Sequence, residues 1–180
     1  MNNWGNKIEV QKGNFAENII KNFLESKGYV VYKPITKNAH AFDNLAIKNK
    51  KNVIISECKA KAKRTFYNDT GINISNYDDY KYISKKHNLP VFIFFVDEFL
   101  EEIYGNFLNE LEKEVCDKGK KYPLKEKNII YFPIMNMRRD IYKLNKEQVE
   151  YLKNKSKRNY DYELKTNKIM KLNSQLKFNF

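Results

Sequence analysis

The stretch VIISECKAKAK, residues 53–63, decides how the rest of the chain is read. Its β-branched apolar start has the composition of a buried strand, yet it runs into a carboxylate, Glu57, and an ammonium, Lys59, two residues apart. Successive side chains on a strand alternate faces. Val53, Ile55, Glu57 and Lys59 therefore share one side, and Ile54, Ser56, Cys58 and Ala60 the other. The polar pair ends an otherwise apolar face, where charged groups need partners or a chemical role.

Outward from this stretch, the pattern predicts a helix followed by three strands. NFAENIIKNFLESK (14–27) repeats apolar residues at Phe15, Ile19, Ile20, Phe23 and Leu24, with Gly28 as a stop. YVVYKP (29–34), AFDNLAI (41–47) and NVIISECKA (52–60) read as strands, with KNKK (48–51) as a tight turn before the third. TFYNDTGINIS (65–75) reads as a polar loop. NYDDYKYISKKHN (76–88) places Tyr77, Tyr80 and Ile83 at helical spacing, and VFIFFV (91–96) reads as a strand covered on both faces. The order αβββαβ, with a crossover helix between the last two strands, implies a mixed central sheet flanked by helices. Residues 99–119 read as a further helix and 128–134 as a further strand.

A chain of 180 residues with 34 Lys+Arg against 22 Asp+Glu, a net charge of +12, is the size of one domain and carries the charge expected of a protein with a polyanionic partner. The longest apolar run, PVFIFFV (90–96), is far short of the ~20 residues that span a bilayer, so no membrane role is expected. Two cysteines and no export signal suit a reducing cytoplasm. From Asn136 onward the chain has 12 Lys+Arg against 5 Asp+Glu. The expected division is a domain over 1–135 and a basic C-terminal extension over 136–180, within which 143–158 has the pattern of a helix.

A hairpin turning at 48–51 brings Asp43 opposite the upper part of the third strand, beside Glu57. Converging carboxylates repel unless a cation sits between them, and oxygen ligation favours a hard ion such as Mg²⁺ or Mn²⁺. Beside such an ion, Lys59 can orient or deprotonate a water for attack on a phosphodiester.

An acidic residue on the second strand, followed by acidic-x-Lys on the third, resembles the PD-(D/E)XK nuclease superfamily over roughly residues 12–96. The matching residues are Asp43 in HAFD and Glu57-Cys58-Lys59 in SECKAKAK, with Phe42 where the family name has proline. GNFAENII, which contains Glu17, is similar to the opening helix of archaeal-type Holliday-junction resolvases. The resemblance implies a restriction-endonuclease-like α/β fold and divalent-metal-dependent DNA cleavage. It further implies Glu17 as an additional catalytic or metal-binding acid, the Cys58 main-chain carbonyl as a metal ligand, and a homodimer. Structure-selective cleavage of junctions or branches, restriction-type cleavage, and a non-catalytic DNA-binding module on the same fold are the competing functions. Cleavage directed by a separate partner protein is a further one.

Each residue also has a plainer reading: Glu17 as a surface pair with Lys21, Asp43 as an edge-strand acid, Glu57 and Lys59 as a rim salt bridge. Lys61, Lys63 and Arg64 beyond the third strand, with Lys81 and Lys85 on the next helix, are the candidate phosphate contacts. The Cys58 thiol is expected to pack in the core, His40 to be structural and His87 to complement a helix dipole. The final QLKFNF (175–180) resembles the peptides with which bacterial DNA-metabolism proteins dock on the sliding clamp.

Overall fold

The computed structural model describes residues 5, 7–34 and 41–158. In chain order these form α1 (Ile8–Ser26), β1 (Val30–Tyr32), β2 (Asn44–Lys48), β3 (Asn52–Lys59), β4 (Asp69–Asn73), α2 (Ile74–His87), β5 (Val91–Asp97) and β6 (Glu102–Phe107). There follow α3 (Leu108–Leu111), β7 (Val115–Asp117), β8 (Lys120–Tyr122), β9 (Leu124–Glu126), β10 (Ile129–Pro133), β11 (Arg138–Lys143) and α4 (Lys146–Asn154).

The central sheet runs β1-β2-β3-β5-β6-β11, with β3 and β5 parallel and the other neighbours antiparallel. The parallel pair comes from the α2 crossover, since parallel neighbours cannot be joined by a tight turn. All seven residues of β5 are buried, because its alternating side chains enter two separate cores. Phe92, Phe94 and Val96 join Ile54, Cys58 and the inner stripe of α1 (Ala16, Ile20, Leu24), together with Leu152 of α4. Ile93 and Phe95 join Ile55, Tyr80 of α2, and Ile130 and Phe132 of a small sheet ordered β4-β10-β9. The mixed sheet flanked by helices is the architecture expected from the sequence.

Three expectations fail on long-range pairing. Residues 99–119 are not one helix: β6 pairs with β5, and a β7–β8 hairpin follows α3. Their helical spacing of apolar residues is outweighed by the second edge of β5, which otherwise would lack a partner. Gly105 marks the closeness of that pairing, since a Cβ there would stand 2.0 Å from the Ile93 carbonyl oxygen. The polar loop expected over 65–75 contains β4, paired with β10. The folded domain does not stop at residue 135: β11 hydrogen-bonds to β6, and α4, started by an Asn145–Gln148 capping box, packs its Val149 and Leu152 into the α1 core. The helix expected within 143–158 is α4, whereas the rest of the basic extension from residue 159, the clamp-like 175–180 included, lies outside the described residues, as does His40. Among the described residues no helix is long and apolar enough to cross a membrane.

Candidate active site

The β2–β3 hairpin sets the site. Its register pairs Lys48 with Asn52 and Asn44 with Ser56, so the next position along β2, Asp43, stands opposite Glu57. The Asp43 amide donates to Glu57 Oε2 at 3.2 Å, and the Cys58 amide donates to Asp43 Oδ2 at 2.8 Å. Lys59 Nζ donates to Glu57 Oε1 at 2.6 Å, as the shared strand face requires. Asp43, Glu57 and Lys59 thus meet at one end of the hairpin, lining a pocket of about 300 Å³ with Ala41, Asn76, Asp79 and Tyr80.

The other wall is the start of α2. Asn76, Asp79 and Tyr80 are spaced i, i+3, i+4 and so share a helix face. The buried Tyr80 hydroxyl donates to Glu57 Oε1 at 2.5 Å. Burial and the adjacent Glu57 carboxylate both push the Tyr80 phenol up, which keeps it a donor. Glu57, itself 3% exposed, is thereby held by a lysine, a phenol and a backbone N–H. Tyr80 and Asp79 are pocket residues that the sequence reading missed. The signal was present in NYDDY, but tyrosines at helical spacing read equally well as core.

Asp43 is the electrostatically unsettled group. Burial first, then the Glu57 and Glu17 carboxylates, push its pKa up to about 7, against the opposing pull of the Cys58 amide and Lys59. Glu17 does not line the pocket and does not pair with Lys21: it accepts a 2.6 Å ion pair from Lys33, while Lys21 lies 3.9 Å from Glu25. Its field reaches Asp43, but among the described residues no group of three or more His, Cys, Asp or Glu is placed to hold a metal ion. On this wall of the pocket the carboxylates are a pair, Asp43 just before β2 and Glu57 of β3. The Cys58 thiol faces the α1 core, where burial pushes it up and keeps it protonated.

The five candidate phosphate contacts separate. Arg64 is committed within the fold: Nε and Nη2 donate to the two oxygens of buried Asp69 at 2.6 and 2.5 Å, and Nη1 to Glu126 at 2.8 Å. Its guanidinium also stacks on Tyr131, 3.7 Å from the ring centre, and on Tyr67 at 4.3 Å. Asp69 and Tyr67 are near in sequence, whereas Glu126 and Tyr131 come from distant strands, of which the short basic run gave no sign. Lys81 pairs with Glu112 at 2.8 Å, and Lys85 is exposed on the last turn of α2. Lys61 and Lys63 line a second pocket that begins at Ala60, on the α1 side of the sheet. Burial, then the Arg64 charge, push the Lys61 ammonium down, with Lys59 and Arg158 adding to the local positive charge.

Among solved structures, the Holliday junction resolvase Hjc of the archaeal hyperthermophile Archaeoglobus fulgidus resembles this chain with a TM-score of 0.50, over 69% of this chain and 86% of that one, at 9% identity. No protein-family model and no curated protein matches the sequence. The resemblance extends to the fold, and the chain has the mixed α/β architecture of that resolvase.

Proposed function

We propose that the chain is a DNA endonuclease that hydrolyses phosphodiester bonds with a divalent cation, Mg²⁺ or Mn²⁺. The observation that carries this reading is the meeting of Asp43, Glu57 and Lys59 in one pocket. The shared fold with a nuclease adds to it. The donor set fits the ion: two carboxylates offer hard oxygen ligands, and Mg²⁺ commonly binds through only one or two carboxylates, completing its shell with water and substrate phosphate. The raised Asp43 carboxyl fits as well, since neighbouring anions without a cation between them favour protonation.

Asp43, Glu57 and the Cys58 main-chain carbonyl would hold the ion, which supplies Lewis acidity toward the phosphoryl oxygen. The chain's own groups do the rest. Lys59, fixed by Glu57, presents an ammonium that orients the attacking water and offsets charge developing on the phosphate. Tyr80 holds the Glu57 carboxylate in place, so the lysine and acid keep one geometry. Glu17, with Lys33, acts on Asp43 through its field from outside the pocket.

The test incubates supercoiled, linear, single-stranded and four-way-branched DNA with the wild type, Lys59→Ala and Asp43→Ala in Mn²⁺. Cleavage by the wild type alone is expected, and the preferred substrate separates structure-selective from restriction-type cutting. Binding without cleavage by the wild type would mean a non-catalytic module, and identical digestion by all three proteins would place the chemistry elsewhere.

A further inference from the structure

The second pocket, about 430 Å³, lies where β3 ends and the chain turns toward β4. It falls within the ~300–1,000 Å³ range of small-ligand sites. Small side chains, Ala60 and Ala62, leave room in it, while Lys12, Lys61, Lys63 and Arg158 give its wall positive charge. Arg158 donates to the Lys63 carbonyl and the Thr65 hydroxyl, both at 2.6 Å, which fixes the guanidinium over the 63–65 turn. Lys12 is tied to buried Glu98 at 2.5 Å.

The same pocket carries two aromatic rings at its mouth. Tyr67 already stacks with cations, Arg64 at 4.3 Å and Lys120 at 3.7 Å from its ring centre. Phe66 is different: it is 59% exposed, and among the described residues no ring or cation stacks on it. A bare phenyl ring next to fixed cations and an open volume is the chemistry that receives a base and its phosphate together. In a duplex the base faces are covered by their neighbours and only the phosphates are offered, so such a ring distinguishes unpaired nucleotides from paired ones.

From these features we infer that the pocket between α1, the 60–67 segment and Arg158 binds an unpaired nucleotide of a single-stranded DNA segment. The base stacks on Phe66, and its phosphate lies against Lys61, Lys63 and Arg158. This rests on the nuclease reading and deepens it. Lys59 and Ala60 are consecutive and face opposite sides of the sheet, so the second pocket lies on the α1 side and the carboxylate pocket on the α2 side. The substrate class is therefore DNA that offers unpaired nucleotides, gripped at a surface separate from the carboxylate pair.

The test measures binding of the full chain to labelled oligothymidine and to a duplex by fluorescence anisotropy in EDTA. Phe66→Ala is expected to weaken oligothymidine binding roughly 5- to 150-fold, the effect of removing one stacked base, and to change duplex binding by less than about twofold. Phe66→Trp is expected to retain affinity, with emission quenched by oligothymidine beyond any change in the wild type, whose single tryptophan is Trp4. Wild-type affinity of Phe66→Ala for oligothymidine, or equal losses on single strand and duplex, would overturn the inference. With EDTA present no cleavage enters the measurement. Failure of DNA hydrolysis would leave a positive result here standing, and failure here would leave hydrolysis at Asp43, Glu57 and Lys59 untouched.

Discussion

Replacing Asp43 by asparagine should stabilise the metal-free protein at neutral and alkaline pH. The Asp43 carboxyl rises from 3.8 to about 7 on folding, through burial and the carboxylates of Glu57 and Glu17. At ~1.36 kcal/mol per pH unit, that difference is worth about 4 kcal/mol. Below pH 4 the carboxyl is protonated in the folded and unfolded chain alike, and it costs nothing. Between about 4 and 7 the unfolded chain releases its proton while the folded one keeps it, so stability falls as pH rises. Above about 7 the full penalty is present. Asp43→Asn removes the charge and keeps an oxygen for the Cys58 amide, so urea unfolding in EDTA should show the variant more stable by roughly 2–4 kcal/mol at pH 8 and equal to wild type near pH 4. Adding Mg²⁺ at ~100 times its dissociation constant should return about 2.7 kcal/mol to the wild type and much less to the variant. A variant less stable than wild type at pH 8 in EDTA, or a difference that does not change with pH, would refute this reasoning.

Other parts of the structure carry their own expectations. Tyr80→Phe removes the hydroxyl that holds Glu57, so the proposed cleavage rate should drop about 10- to 100-fold with DNA affinity in EDTA unchanged, as rates and binding measured side by side would show. Gly105→Ala drives a methyl group into the Ile93 carbonyl and should cost on the order of 3 kcal/mol or more in denaturant unfolding. Asn145→Ala deletes the capping box of α4 and should cost about 1 kcal/mol. Lys50→Gly relieves a left-handed residue (φ 57°) in the β2–β3 turn and should add roughly 1 kcal/mol, with the Asp43–Glu57 register unchanged by nuclear magnetic resonance.

What the sequence made legible was local. The α1 stripe, the β2–β3 hairpin and the two-faced β5 follow from periodicity and turn chemistry, and the hairpin register alone was enough to set Asp43 against Glu57. What it hid depended on distant partners. β6 carries a helical spacing of apolar residues and becomes a strand because β5 has a free edge, and β11 looked like a basic arm because its charges, Arg139 and Lys143, find their acceptor in buried Glu102. Arg64 read as a phosphate contact in part for the same reason: Glu126 on β9 is distant, while Asp69, five residues on, becomes its acceptor only once β4 pairs with β10. Tyr80 was visible as a helix-face aromatic. Only the packing of α2 against the sheet turns its hydroxyl toward a carboxylate.

The most direct test is diffraction from crystals of the protein soaked in Mn²⁺, recorded at a wavelength where manganese scatters anomalously. One peak is expected in contact with carboxylate oxygens of both Asp43 and Glu57, at about 2.2 Å, the distance expected of a small hard cation. The peak should disappear in Asp43→Ala. A well-ordered pocket with no peak at saturating Mn²⁺, or a peak bound elsewhere and indifferent to Asp43, would contradict the proposed site.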